Sequence, residues 1–342
     1  MDWCGFSVIP AAVDMRSYVQ VSRGDDNIVE IHSFAPFDLY GNFDPTKQKL
    51  NLESDLRYVQ ATLAALERSG VRTAGIRVRF LRAEQVEEIK GPSARKLLDL
   101  PVKKGLSSSA AICVATAAAV DIFASGRLED AIDEGAMSKY ANIAYVAERE
   151  ILGVNCGQMD QYAAAYGRLL YVDCSTAPAK VHALRPSVAL PIVIGDTGQQ
   201  KDTPRILAWL GKRLEAREER FMEGMRNIVR IVEEARRELE RHDMRRSRIG
   251  ELMNENQHYL DKYLQVSGSC PVSPSNLDLL IRAALDAGAL GAKLSGSGGG
   301  GAMLALTEPG NEEHVAEAIR KAGGDAYISR VAERGVSVEH IG

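Results

Sequence analysis

Apolar residues recur along this chain with two periods, and the points where one period gives way to the other mark its elements. Residues 7–35 alternate apolar and polar through SVIPAAVDMRSYVQV, break at Arg23-Gly24-Asp25-Asp26-Asn27 and resume in IVEIHSF, which predicts a hairpin or meander. Within 52–69, Leu56, Val59, Leu63 and Leu66 fall at helical spacing, and Gly70 is placed to cap the C-terminus. Residues 75–80 read as a strand, 81–98 as a polar and partly helical excursion, 107 to about 126 as an almost wholly apolar helix, 128–152 as another helix and 169–174 as a strand. Near residue 185 the texture changes. A strand at 190–194 and a polar loop at 196–203 lead into a long helix from 205 to about 242, dense in Arg and Glu, whose charges read as its solvated face. Helices over 249–264 and 274–288, the latter behind a Ser cap, precede a strand, glycine loop and strand at 291–307. A helix at 312–322 and strands near 326–328 and 336–340 complete the chain. The pattern predicts two α/β domains, 1–185 and 186–342.

The stretch that carries most chemistry is PVKKGLSSSAAICVATAA, residues 101–118. A helix opening on Ser107, Ser108 and Ser109 leaves its first amides unpaired and its positive dipole end facing out of the turn. Gly105 permits close backbone approach, and Lys103 and Lys104 precede it. The stretch reads either as an anion site or as a Ser-capped core helix after a surface loop. No GxxxxGK[ST] motif occurs. In the next helix, Glu148 shares a face with Ala141, Ala144, Tyr145 and Leu152. A carboxylate on an inward stripe calls for a cation: Mg2+, a basic side chain, or partial exposure at the rim. In GVNCGQMDQYAAAYG, residues 153–167, Gly153 ends the helix, Gly157 permits a second turn and Asp160 heads a short alanine-rich segment, where an ordinary cap or first-turn acid is the plain alternative. Six of the eleven residues from Gly291 to Gly301 are glycine, and two apolar strands enclose them, which favours a loop approaching a backbone or phosphate over a linker.

Composition narrows the classes. A net charge of -4 and the lack of a basic stripe with interleaved aromatics argue against a nucleic-acid partner. Five scattered cysteines, never spaced CxxC, suit reduced thiols in a cytoplasm, and six histidines without an HxxxH pair argue against a histidine metal centre. With no run of 18 apolar residues and no leader, the expectation is a soluble, cytoplasmic protein without a membrane partner.

Three stretches together resemble the GHMP kinases, small-molecule kinases named for galactokinase, homoserine kinase, mevalonate kinase and phosphomevalonate kinase. PVKKGLSSSAA is similar to their second motif, PxxxGLxSSA, and KLSGSGGGGAMLAL to their third. Within the family, AEREILGVNCGQMDQYAAAYGRLLYVDC is most similar to galactokinases, and residues 2–10 look like the tail of the galactokinase signature GEHTDYNxGxVLP. The resemblance implies an α+β two-domain fold, with an N-terminal ribosomal-protein-S5-like domain and a C-terminal ferredoxin-like domain. It implies ATP- and Mg2+-dependent phosphorylation of a hydroxyl on a sugar or sugar-like molecule, by a monomer or homodimer.

Carried over by position, Asp160 matches the catalytic aspartate that orients or deprotonates the attacking hydroxyl, and Glu148 and Ser109 match the Mg2+ ligands. Gly105, Leu106, Ser107, Ser108, Ser109 and Ala110 match the phosphate cradle, with Lys103 and Lys104 beside it. Asp2 matches the acid that grips sugar hydroxyls, and Gly157, Gly296, Ser297 and Gly298 shape the acceptor side. The family's first motif would begin some ten residues before Asp2 and carry a basic residue; the chain begins at Met1, so an upstream segment is expected, or Lys103 or Lys104 substitutes. TGQQKDTPRILAW replaces the galactokinase stretch after Asp196, and LMNENQHYL and the GGGG form of the third loop look like mevalonate kinases. A mevalonate-type kinase and a non-catalytic sugar and ATP sensor on the same fold are therefore the alternatives.

Overall fold

The computed structural model describes all residues except 26, 34–37, 45–50, 52, 92–95, 103, 128–131, 200–201, 265–274 and 342. The chain forms two compact units. One comprises Asp14–Pro101, Ser107–Arg168 and Ala332–Gly342; the other comprises Met1–Val13, Val102–Leu106 and Leu169–Val331. The chain thus interleaves where a division at 185/186 was expected. The physical reason is strand pairing: β5 (Leu169–Asp173) pairs with β6 (Lys180–Leu184) and takes bridges from Val8 and Ala11, so these segments fold with the C-terminal half.

The first unit holds β1 (Tyr18–Arg23), β2 (Val29–Ser33), β3 (Leu39–Phe43), α1 (Arg57–Arg68), β4 (Ile76–Leu81), α2 (Ala83–Lys90), α3 (Ser108–Ser125), α4 (Glu134–Tyr145) and α5 (Met159–Tyr166). Its sheet runs β1-β4-β2-β3. β1 and β2, expected as neighbours in a hairpin or meander, are separated by β4, antiparallel to β1 and parallel to β2. Alternation assigns faces, since Val29, Ile31, Ile76 and Val78 are buried, but it does not assign neighbours. The parallel pair needs a long crossover, and α1 supplies it. In α1, Val59, Leu63 and Leu66 are buried as their spacing required, along with Leu56 just before it, and Gly70 follows at φ 86°.

Helix α3 is long and apolar enough on average to cross a bilayer, although Ser108, Ser109, Thr116, Asp121 and Ser125 interrupt it, so it contains no run of 18 apolar residues. It packs against α1, α4, α5 and β1, with Cys113, Ala117, Ala118 and Val120 fully buried, as a core helix does. The helix expected over 128–152 begins at Glu134, where the Asp133 side chain accepts from the Ala136 amide; residues 128–131 lie outside the described part. From Val146 to Ile151 it widens into a π-helical turn, and the Leu152 N–H donates to the Ala147 carbonyl. In this wider turn Ala147 and Glu148 face inward, Glu148 as its spacing required, while Tyr145 and Leu152, expected on the same stripe, are only half-buried. Residues 336–340, expected as a strand, form none; the Val336 N–H donates to the Ala165 carbonyl.

The second unit adds β7 (Ile192–Asp196), α6 (Thr203–Glu215), α7 (Glu219–Leu239), α8 (Arg246–Tyr259), α9 (Ser275–Asp286), β8 (Gly291–Leu294), β9 (Ala302–Leu306), α10 (Glu312–Lys321) and β10 (Asp325–Ser329). Its antiparallel sheet runs β10-β7-β9-β8 over a core that includes Val193, Phe221, Met225, Leu277 and Met303. The long charged helix is two helices. Arg217 takes φ 49° between them, and the buried Arg213 guanidinium turns back to Glu218 at 2.6 Å and to the carbonyls of Tyr263 and Leu264. The outer edge of β8 is covered by α8: Asn254 Oδ1 accepts from the Ala292 N–H and Gln257 Oε1 from the Leu294 N–H, both at 2.9 Å. Gly250 and Gly291 allow this approach, because a Cβ on either would lie within 2.5 Å of backbone. LMNENQHYL therefore supports the strand that leads into the glycine loop.

Candidate active site

Every hydroxyl and acid in the first unit's site is set by the start of a helix or by the π turn. Ser107 precedes α3 in the left-handed region, at φ 56° and ψ 34°, and makes no side-chain cap. A non-glycine residue there costs on the order of 1 kcal/mol, a strain that collects at functional turns. The first amides of α3 are left without a capping side chain, so the Ser-capped alternative does not describe this turn. Ser109 stands one residue into the helix, with Ser108 and Ala110 buried on either side.

The Ser109 hydroxyl donates to Glu148, which the π turn carries inward until only 3% of its surface is exposed. From α5, the Gln161 amide Nε2 donates to Glu148 Oε2 at 2.5 Å. Desolvation pushes the Glu148 pKa up to about 7; the nearby charge of Asp160 adds to the rise, and the hydrogen bonds from Ser109 and Gln161 oppose it. Asp160, in the first turn of α5, is near enough to Glu148 for its charge to act there. Gly157 lies in the coil that leads into α5.

Among the described residues Glu148 makes no ion pair, and no three His, Cys, Asp or Glu side chains are clustered as a metal cage. This donor set fits Mg2+, which is commonly held by one or two carboxylates with substrate phosphates and water completing the octahedron. A buried carboxylate partnered only by neutral donors is a favourable place for a cation, and the Ser109 oxygen is a second hard donor.

The second unit holds the other expected residues. Lys103 lies outside the described residues, while Gly105, at φ 77°, and Leu106 sit in the turn. Lys104 Nζ stands 3.0 Å from Asp196 Oδ2 and 3.5 Å from Asp325 Oδ2, and the Asp196 bond and charge raise its pKa. Its charge is engaged by carboxylates. In the glycine loop, Gly296 and Gly298–Gly301 all take positive φ, which only glycine accommodates freely, and the Thr197 amide and hydroxyl both donate to the Gly301 carbonyl. Ser297 and Thr203 hydroxyls meet at 3.3 Å. Asp2 begins a single 3₁₀ turn, 14% exposed, with the terminal amine 3.8 Å away. Sequence reasoning missed Gln161 and Asp196, although Gln161 adjoins Asp160 and Asp196 ends the otherwise apolar strand IVIGD.

Comparison with known proteins bears on both units. The GHMP kinases N terminal domain profile matches residues 58–168, and the GHMP kinases C terminal profile matches 235–325. The chain is 32% identical to the mevalonate kinase of Pyrococcus abyssi over 98% of this chain and 92% of that protein. In structure it resembles the mevalonate kinase of Methanococcus jannaschii, with a TM-score of 0.72, 18% identity and coverage of 96% and 93%. It resembles the galactokinase of Lactococcus lactis, solved with galactose, with a TM-score of 0.74, 19% identity and coverage of 98% and 91%. The last two likenesses concern the fold alone. The sugar acceptor inferred from AEREILGVNCGQMDQ is overturned by the first, a near full-length relation to a mevalonate kinase.

Proposed function

We propose, from the premise that this chain belongs to the GHMP kinases, that it transfers the terminal phosphoryl group of ATP to a hydroxyl of mevalonate. The chain is an ATP-dependent phosphotransferase acting on a hydroxyl, and Mg2+ is its cofactor. The observation that carries the choice of mevalonate is the 32% identity to a mevalonate kinase across 98% of the chain.

Phosphoryl transfer asks a protein mainly for positioning and for neutralisation of charge. The uncapped amides at the start of α3, with the positive end of its dipole, receive phosphate oxygens. Glu148 and Ser109 would hold Mg2+, which when bound would offset charge on the phosphates. Asp160 accepts a hydrogen bond from the acceptor hydroxyl, aligns its oxygen and takes its proton as the new O–P bond forms and the bond from the terminal phosphorus to the bridging oxygen breaks, releasing ADP. Lys104 serves the loop through Asp196 and is not assigned to phosphate. Asp2, matched earlier to a sugar-gripping acid, has no assigned role toward mevalonate.

A panel of acceptors tests the reading. ATP consumption is measured with mevalonate, galactose and a uronic acid in turn. Mevalonate-dependent turnover is expected, and turnover with either sugar but none with mevalonate would refute the assignment.

A further inference from the structure

Gln161 is buried to 1% exposure in the first turn of α5, next to Asp160. Its two amide atoms are in different situations. Nε2 donates to Glu148 Oε2 at 2.5 Å and lies 3.9 Å from Cys156 Sγ. Oε1 is buried and has no hydrogen-bond partner among the described residues. Leaving a buried amide oxygen unsatisfied costs about 1–3 kcal/mol, so this atom calls for a donor.

We propose that Gln161 is the positioning residue of the metal site: its amide nitrogen fixes the Glu148 carboxylate, and its amide oxygen accepts from a water of the Mg2+ hydration shell. The inference rests on the assignment of Glu148 to Mg2+ made above. A carboxylate at the end of a Glu side chain turns readily about its last torsion, which is broad and roughly two-fold. A donor on one oxygen removes that freedom and sets the plane in which the group offers its lone pairs to a cation. Because Mg2+ demands near-ideal octahedral geometry and keeps several waters, both the fixed plane and an acceptor for a bound water lower the cost of binding it.

The test is a Mg2+ titration of the affinity for a non-hydrolysable ATP analogue, read by calorimetry on the whole chain, with steady-state kinetics alongside. Gln161→Met keeps the buried volume and removes both hydrogen-bonding atoms. It is expected to raise the Mg2+ concentration at half-effect by about ten- to a hundredfold, the usual result of losing a residue that orients a metal ligand. Analogue affinity without metal stays at the wild-type value, and kcat recovers at high Mg2+.

An unchanged Mg2+ midpoint, or an equal weakening of metal-free analogue binding, overturns the inference. If Gln161→Met shows no cooperative melting, Gln161→Leu, which also removes both hydrogen-bonding atoms, is read by the same titration, with a shift in the same direction and of similar size expected. Glu148→Gln separates the two levels of the argument. If it shifts the midpoint and Gln161→Met does not, only the role of Gln161 fails; if Glu148→Gln shifts nothing, the metal assignment itself fails.

Discussion

Glu148 and Asp196 are both carboxylates with almost no exposed surface, and they are satisfied in opposite ways. Asp196, at the end of β7, has Lys104 at 3.0 Å and the Gly198 amide at 3.0 Å, so its charge is matched within the protein. Glu148 has a hydroxyl and an amide, both neutral, and a second carboxylate nearby that works against ionisation. A buried acid that carries its own cation is part of the scaffold. One surrounded by neutral donors has its charge left for something that arrives from outside, and perturbation of that kind is a mark of functional sites. The contrast also gives Lys104, which the sequence sets beside a phosphate loop, a partner in the scaffold acid.

The largest effect expected is at the acid that completes the Glu148 cluster. Asp160→Asn keeps shape and hydrogen-bond reach but cannot take the hydroxyl proton. Turnover should fall by about a thousandfold while calorimetry gives an ATP affinity close to wild type. Parallel losses in both would mean that Asp160 builds the nucleotide site and does not act on the acceptor.

Glu148→Gln sharpens the comparison from the other side. Turnover should drop on the order of a hundredfold for want of a charged ligand. Stability should move the opposite way. In the metal-free protein the Glu148 pKa is about 7, against an ordinary 4.5. The unfolded chain therefore releases this proton first, and the folded state loses stability as pH rises from 4.5 to about 7. The loss is on the order of 3 kcal/mol and is complete above the folded pKa. Denaturant melts across that range should show the decline in wild type and its absence in Glu148→Gln. An identical pH dependence in the two proteins would refute this account of the pocket.

Parts of this site were legible in the sequence for physical reasons. Ser107–Ser109 after Gly105 read as a helix start, and glycines between apolar strands favour a loop over a linker, because both signals are local. Leu56, Val59, Leu63 and Leu66 likewise show their face through spacing alone. What failed was non-local or cumulative. The insertion of β4 between β1 and β2 depends on residues some fifty positions away, and alternation is silent about it. The break at Arg217 carries no Gly or Pro; it depends on Arg213 reaching carbonyls at 263 and 264. The partners of Lys104 stand at 196 and 325, out of reach of any motif around the loop. The substrate was misread for a different reason: the AEREILGVNCGQMDQ stretch contains Glu148, Asp160 and Gln161, which meet in one buried cluster, and a match over that cluster does not fix which hydroxylated molecule is bound.

The scaffold half of the comparison predicts a stability effect. Lys104→Met leaves Asp196 buried opposite an apolar side chain. Losing one partner of a fully buried pair costs about 3–5 kcal/mol. Lys104 keeps 35% of its side chain exposed, so solvent already screens part of the interaction and about 2 kcal/mol is expected. Adding Asp196→Asn to this variant should recover most of the loss, since the uncompensated charge is then gone. Denaturant midpoints of the four proteins in this cycle measure the coupling, and additive losses would show that the two side chains are energetically independent.

The smallest effect belongs to the other acid near Lys104. Asp325 is 63% exposed and stands 3.5 Å from Nζ, against 3.0 Å for Asp196. An ion pair in that setting contributes about 0–1 kcal/mol because water and salt screen it and both side chains lose freedom to form it. Asp325→Asn should therefore shift the denaturant midpoint by about 0.5 kcal/mol or less, with the shift fading as salt is raised. The Lys104–Asp196 coupling should survive the same salt, because one of its partners is out of solvent. If Asp325→Asn cost as much as Lys104→Met, the lysine would owe its position to the exposed acid, and Asp196 would be a buried charge without a cation of its own, like Glu148.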